Sequence, residues 1–116
     1  MAHGYCKEVN IKADLPTVDE AVRRITYNLR NGRDWGCAAI KIIHGYGSSG
    51  RGGAIRTQAR RYLADQKRRG RIRNYIPGED FSIFDAATRD AFLRCDALRR
   101  DPDLERHNNG VTIVIL

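Results

Sequence analysis

The sequence has few of the features that anchor a protein in a membrane or cross-link it covalently. No apolar run approaches the roughly 18 residues that a membrane-spanning helix needs, and the N-terminal stretch MAHGYCKEVN lacks the apolar segment of a signal peptide. The three cysteines are an odd number and lie far apart, which argues against a disulfide framework and against a zinc site built from close cysteine pairs. We therefore expect a cytoplasmic protein with free thiols and no membrane partner.

Acidic residues are almost absent from one stretch of the chain. Residues 51–73 contain nine lysines and arginines and one acid, Asp65, in a chain of 116 residues whose formal net charge is +7. The rest of the chain is therefore close to neutral. A positive charge concentrated in this way indicates a polyanionic partner, and we expect DNA or RNA. The alternative is a charged helix face that is merely solvated.

The length is that of one domain, covering residues 1–116. Alternating apolar and polar residues predict a first strand near residues 5–12, and Thr17 with Glu20 predicts a capping box at the start of a first helix. Further elements are predicted from apolar runs and turn residues: a buried strand at 37–43, a helix at 53–69, a strand at 71–76, a helix at 85–100 and a central strand at 111–116. This β-α-β-α-β-α-β order predicts an α/β fold, specifically a two-layer sandwich in which helices pack on a mostly parallel four-stranded sheet.

Five glycines lie between the second predicted strand and the basic helix, from Gly45 to Gly53. Glycine lets a backbone pass close to a ligand, and the amides at a helix N-terminus attract anions. The sequence therefore predicts a phosphate cradle here, formed by Ser48, Ser49, Arg51, Gly52 and Gly53. The stretch also satisfies the spacing of a dinucleotide-binding loop, but no acid follows about 20 residues later, and a nucleotide-triphosphatase loop would need a lysine and a hydroxyl after Gly50.

His44 stands at the end of the second predicted strand, directly before the glycines. Ligands of open α/β sheets bind beyond the carboxyl ends of the strands, so this side chain is expected to face the same cleft as the loop. A histidine with a pKa near 6.5 can donate to a phosphate or exchange a proton at neutral pH. The alternative is that the imidazole bonds a carbonyl and shapes a tight turn.

Two stretches of the chain resemble a known family, the small MutS-related (Smr) domain. The first is IKIIHGYGSSGRGGAIR at residues 40–56, which is similar to the family's strand, His-Gly-x-Gly and loop leading into a helix. The second is the terminal NNGVTIVIL, similar to the family's closing Gly-Val-Thr strand. The spacing of TVDEAVRRITYNLRNG before the first stretch also matches the family's first helix.

The resemblance implies an α/β sandwich like the C-terminal domain of a bacterial translation initiation factor. It also implies nucleic-acid binding and, in several members, endonuclease activity on DNA or RNA. By position, His44, Gly45 and Gly47 take the places of the family's His-Gly-x-Gly. Residues 78–108 are expected to be an insertion carrying an extra helix.

The family's first strand usually ends in Leu-Asp-Leu-His-Gly, where this chain has Val9, Asn10, Ile11, Lys12 and Ala13. Lys12 thus replaces a histidine; it can hold a phosphate but is a poor general base, because the reference pKa of lysine is about 10.4.

The sequence therefore predicts a nucleic-acid-binding domain with His44 and Lys12 as candidate catalytic residues of an endonuclease. The expected nucleic-acid contacts are Gly45, Tyr46, Gly47, Ser48, Ser49, Gly50, Arg51, Arg56, Arg60, Lys67 and Arg68. For cleavage, a divalent cation such as Mg²⁺ is a candidate cofactor. No other cofactor is expected. The alternative is a non-catalytic module that binds a phosphate ligand or docks a partner.

Overall fold

The structure is a computed structural model that describes residues 4–46 and 50–116, with only the backbone described for residues 50–52. Its strands are β1 (Tyr5–Asn10), β2 (Cys37–Ile43), β3 (Asn74–Pro77) and β4 (Val111–Ile115), and its α-helices are α1 (Val18–Gly32), α2 (Gly50–Arg68) and α3 (Ala86–Arg94). Two short 3₁₀ helices, Gly78–Asp80 and Asp96–Arg100, flank α3 and add to the predicted succession of elements.

Local signals in the sequence set several of these boundaries. The Thr17 hydroxyl accepts a hydrogen bond from the Glu20 amide at 3.1 Å, and the Thr17 amide donates to the Glu20 carboxylate at 2.8 Å, which confirms the capping box. Asp85 caps α3 by accepting from the Thr88 amide at 3.0 Å. The helix ends at Arg94, earlier than predicted, because the chain becomes extended at Cys95 before the second 3₁₀ helix.

The four strands form one mixed sheet in the order β1-β2-β4-β3, and the prediction of a mostly parallel sheet was wrong. Only β1 and β2 pair in parallel; β4 runs antiparallel to both β2 and β3. The cause is the return path between β3 and β4. After α3 the chain returns to the end of the sheet at which β3 ends, where Gly78 packs against the Asn108 carbonyl. Strand β4 therefore begins beside the last residue of β3 and runs in the opposite direction.

Each face of the sheet carries its own buried cluster. Helices α1 and α2 pack on one face, with Ile25, Leu63 and Ile40 among the buried side chains. The segment containing α3 packs on the other face around Phe81 and Ile113. The fold therefore has three layers where two were predicted, because residues 78–108 cover the second face. Whether that segment is an insertion relative to the Smr family stays a prediction.

Candidate functional site

The carboxyl ends of β1 and β2 lie side by side, as the sequence predicts for this part of the sheet. The Ile11 amide donates to the Ile43 carbonyl at 3.0 Å, directly beyond the last paired residues of the two strands. Lys12 follows, and its aliphatic chain covers Gly45; a Cβ atom on that glycine would lie 3.0 Å from Lys12 Cδ. Gly45 has a φ of +82°, a conformation that glycine adopts without strain. Lys12 therefore contacts Gly45, the first residue of the stretch from Gly45 to Gly53, which we call the glycine-rich segment.

His44 is fully buried at this edge and bonded through both ring nitrogens. Nδ1 lies 3.0 Å from the Gly45 carbonyl oxygen, and Nε2 lies 2.9 Å from Thr112 Oγ1. A carbonyl only accepts, so the network assigns the proton to Nδ1 and makes Nε2 the acceptor of the Thr112 hydroxyl. Burial lowers the pKa of His44, and the charges of Arg60 and Arg56 lower it further. The imidazole is therefore neutral at pH 7.

Arg60 extends this network from α2 to the start of β4. Its guanidinium forms two hydrogen bonds with Glu79, at 2.8 and 2.7 Å, and Nε donates to Thr112 Oγ1 at 3.3 Å. Burial acts to raise the pKa of Glu79, but the hydrogen bonds and charge of Arg60 outweigh it and lower that pKa. A continuous chain of bonds thus joins Glu79, Arg60, Thr112 and His44. A phosphate contact by Arg60 stays a prediction, and it requires the pair with Glu79 to open.

The turn before β4 supports the backbone of the glycine-rich segment. The Gly110 carbonyl accepts from the amides of both His44 and Gly45, each at 3.0 Å. Asn108 steadies this turn by accepting from the Gly110 amide at 2.9 Å. The Tyr46 ring lies against Gly110, where a Cβ atom would come within 3.1 Å of it, yet 60% of Tyr46 remains exposed. Tyr46 therefore presents an open aromatic surface at a fixed position.

Helix α2 lays basic side chains along the edge of the sheet. Arg56, Arg60 and Lys67 share one flank of the helix at 3.6 residues per turn. A groove of about 520 Å³ separates that flank from the edge strand β3 and is lined by Ala64, Lys67, Arg68, Asn74, Tyr75 and Pro77. We call it the α2–β3 groove. It lies along the flank that also carries Arg56 and Arg60.

The cations of α2 differ in how far they are neutralised. Asp65 pairs with Arg68 and Arg69, each at 2.9 Å. In the described part of the chain no carboxylate pairs with Arg56, Arg61 or Lys67. These three positive charges are consequently open to an external anion.

The remaining predicted contacts fall at the start of α2 or outside the described residues. Gly50 and Arg51 lie in the first turn of α2, so the helix begins three residues before its predicted start. The predicted contacts of Gly47, Ser48 and Ser49 lie outside the residues that the structure describes.

Sequence reasoning gave no role to Thr112, Glu79 or the buried Lys41. Lys41 Nζ lies 2.9 Å from Asp101 Oδ1 and also pairs with Asp103. These ion pairs connect the segment that precedes β4 to strand β2. Asp103 in turn accepts from Asn108 at 2.8 Å, so the Lys41 cluster supports the turn below His44. For two of these residues the sequence did carry a signal, a polar side chain inside an apolar run. Lys41 lies in CAAIKII and Thr112 lies in VTIVIL.

Within residues 4–46 and 50–116, no group of three or more His, Cys, Asp and Glu side chains could hold a metal ion. Among the described helices, none is long and apolar enough to cross a membrane.

Comparison with known proteins connects this arrangement to one family. The family model of the Smr domain matches residues 14–80. The crystal structure of the Smr domain of Thermus thermophilus MutS2 superposes with a TM-score of 0.57 at 24% sequence identity, covering 95% of this chain and 96% of that one. No curated protein matches the chain.

Proposed function

This chain belongs to the Smr domain family, and from that premise we propose that it binds DNA or RNA through the open cations of α2 and the glycine-rich segment at its start. The main observation behind the proposal is that several basic side chains of α2 have no acidic partner among the described residues. No described acid forms an ion pair with Arg56, Arg61 or Lys67, so their positive charges are available to an external anion. A polynucleotide backbone offers the matching charge in a continuous line.

The dimensions of the helix suit such a backbone. Arg56 and Lys67 are eleven residues apart, which corresponds to about 16 Å along the helix axis. A DNA duplex carries one phosphate charge per roughly 1.7 Å of its axis, so each cation would meet a phosphate of its own. The α2–β3 groove beside Lys67 admits the backbone, and Asn74 and Tyr75 on its far wall offer polar contacts.

At the other end of α2, the exposed groups are those of Lys12 and Tyr46. Since the Gly45 amide already donates to Gly110, it is not available to a phosphate in this conformation. We expect the Lys12 ammonium to bind a phosphate and the Tyr46 ring to stack on a base. The predicted contacts of residues 47–51 remain part of the proposal.

Cleavage by His44 remains a prediction and is the less direct function for this geometry. Its Nε2 already accepts from Thr112, and the side chain is 0% exposed. A substrate would have to displace Thr112 to reach the ring. The arrangement favours a positioning role, in which the neutral imidazole holds the backbone of Gly45. A non-catalytic module for a smaller phosphate ligand, the alternative from the sequence, would use the same loop without the α2 cations.

A matched pair of double variants tests the proposal. Arg61→Gln with Lys67→Gln removes two open charges from α2, whereas Arg23→Gln with Arg30→Gln removes two exposed charges from α1. Fluorescence anisotropy with a labelled duplex DNA and a labelled single-stranded RNA would measure the dissociation constant from 50 to 300 mM salt. Each duplex contact contributes about 0.9 to the magnitude of the slope of log K against log salt. That magnitude should fall by about 1.8 in the α2 variant and should change little in the α1 variant.

Two results would overturn the proposal: a wild-type affinity that does not change with salt, or equal losses in the α1 and α2 variants. Denaturing gels of the same mixtures, with Mg²⁺ or with EDTA, address cleavage separately. Products that vanish in His44→Ala but persist in the α2 variant would assign His44 to catalysis.

A further inference from the structure

Three arginines meet at the end of the sheet opposite His44, where β2 begins and β4 ends. Arg33, Arg73 and Arg94 line one depression of about 300 Å³ together with Leu93 and Leu116. Arg73 and Arg94 also line an adjoining depression of about 360 Å³. We call the two together the three-arginine groove. It lies apart from the glycine-rich segment and borders the α2–β3 groove at Asn74.

Each arginine is held in place by a different part of the fold. The Arg73 amide donates to the Ile115 carbonyl at 2.8 Å. Arg33 follows Gly32, whose Cα is so close to Leu116 that a Cβ atom would lie 2.8 Å from its side chain.

Arg94 is fixed by close packing at the end of α3. Its carbonyl lies against Gly4, where a Cβ atom would come within 2.7 Å of the carbonyl oxygen, and Gly4 also contacts Ala38. Three separate elements therefore bring the three arginines to the same end of the sheet.

The groove has an excess of positive charge. None of the three guanidiniums forms an ion pair in the described part of the chain, while Arg60, Arg68, Arg69, Arg99 and Arg100 all pair with acids. Asp90, in the adjoining depression, is the sole acid among the described lining residues of the two. Like charges held together repel one another, so an anion that bridges them is favoured.

The groove also continues the surface already proposed to bind nucleic acid. Asn74 lines both the α2–β3 groove and the three-arginine groove. Between them the chain passes through Arg71 and Arg73, which are both exposed. A backbone that leaves the C-terminal end of α2 therefore meets Arg73 next and then Arg94 and Arg33.

We infer that the three-arginine groove is a second phosphate-binding site, which takes the polynucleotide backbone after it leaves α2. The inference rests on the proposed function, because the ligand is the same nucleic acid. Guanidinium groups suit the task since their planar donors bind phosphate oxygens in pairs. The longest dimension of the molecule is 39 Å, so a duplex of about 11 base pairs, at about 3.4 Å per pair, is as long as the whole protein.

Duplex length separates the two sites experimentally. Two labelled hairpin duplexes, one of six base pairs and one of twenty, would be titrated in a salt series with wild-type protein. The groove variant is Arg33→Gln, Arg73→Gln and Arg94→Gln. Its matched control, Arg23→Gln, Arg89→Gln and Arg100→Gln, lowers the net charge equally at exposed positions that line neither groove. Circular dichroism melts confirm that both are folded.

For the groove variant we expect the magnitude of the slope of log K against log salt to fall by about 2.7 on the long duplex and by less than one on the short duplex. The α2 variant should lose slope on both duplexes, and an arginine-to-lysine triple variant should recover most of the loss because it keeps the charge. Equal slopes for groove variant and control, with wild-type binding still salt-dependent, would overturn the second site alone. Salt-independent wild-type binding would instead overturn the proposed function.

Inorganic phosphate distinguishes a polynucleotide from a small anion. Amide NMR shifts around Arg73 and Arg94 would be followed as phosphate is added. Saturation by phosphate with unchanged binding of the long duplex in the groove variant would overturn the inference, since the groove would then be a site for a free anion. Loss of long-duplex binding in that variant supports it.

Discussion

His44 Nε2 lies 2.9 Å from Thr112 Oγ1, and both side chains are completely buried. The pair joins the end of β2 to the start of β4, the two central strands. It also connects to Arg60 on α2, whose Nε donates to the same hydroxyl at 3.3 Å. The residue that the resemblance matches to the family's His-Gly-x-Gly therefore forms part of a buried hydrogen-bond network that connects β2, β4 and α2.

We predict that Thr112→Val destabilises the protein by about 1–3 kcal/mol, because it leaves His44 Nε2 and Arg60 Nε without their buried partner. Thr112→Ser is the control: it keeps the hydroxyl and loses one methyl group, worth about 1 kcal/mol. Urea unfolding at pH 7 measures both. A valine variant as stable as wild type, or more stable than the serine variant, would show that the hydroxyl has no such role.

The state of His44 makes a second prediction about pH. Because burial lowers its pKa in the folded protein, the unfolded chain binds more protons below about pH 6.5. The stabilisation from neutral His44 is thus complete above that pH and is lost as the pH falls toward the lowered pKa. Unfolding free energies from pH 7.5 to 5 should fall more steeply for wild type than for His44→Gln. Long-range ¹H–¹⁵N NMR should place the proton on Nδ1; an imidazole that titrates at or above pH 6.5 would contradict the account.

We predict a large effect at Lys41, which is buried beside Asp101 and Asp103. Lys41→Met should cost about 3 kcal/mol at pH 7, because it leaves the carboxylates without their cation. Burial acts to raise the pKa of Asp103, but bonds from Asn108 and Lys41 outweigh it and lower that pKa. The stabilisation is therefore present at neutral pH and lost as the pH falls through the lowered value. The deficit of the variant should shrink by pH 3.

The exposed Lys12 provides the control for that experiment, since Lys12→Met should change stability by no more than about 0.5 kcal/mol. Chemical denaturation at pH 7 and at pH 3 compares the three proteins. Equal stabilities of the Lys41 and Lys12 variants at pH 7 would refute the role given to the buried cluster.

Gly45 and Gly36 offer a matched test of the contact between Lys12 and the loop. Their φ angles are +82° and +83°, so alanine should cost about 1–2 kcal/mol at either position from backbone strain alone. Nothing lies within 4 Å of a Cβ atom on Gly36, whereas one on Gly45 meets Lys12 Cδ at 3.0 Å. Gly45→Ala should therefore be the more destabilising, and Lys12→Ala should reduce the difference. Equal costs, unaffected by Lys12→Ala, would mean that the two residues do not press on each other.

The sequence predicted the local elements well and the strand pairing poorly. Capping residues, apolar periods and the glycine-rich break act over a few neighbouring positions, which is why the start of α1 and both ends of β2 were correct. The direction of β4 depends instead on the return of the chain after α3, which no local pattern encodes. The ion pair between Arg60 and Glu79 could not be foreseen either, because the two residues are 19 positions apart and their side chains meet only in the folded chain.

The most direct test of the central claim is a map of the binding surface. Uniformly ¹⁵N-labelled protein would be titrated with a twenty-base-pair duplex, and the amide shifts would be followed residue by residue. We expect the largest shifts at Arg61, Lys67, Asn74 and Tyr75, in and beside the α2–β3 groove. Shifts centred on Arg23 and Arg30 of α1, or no shifts at low salt, would contradict it.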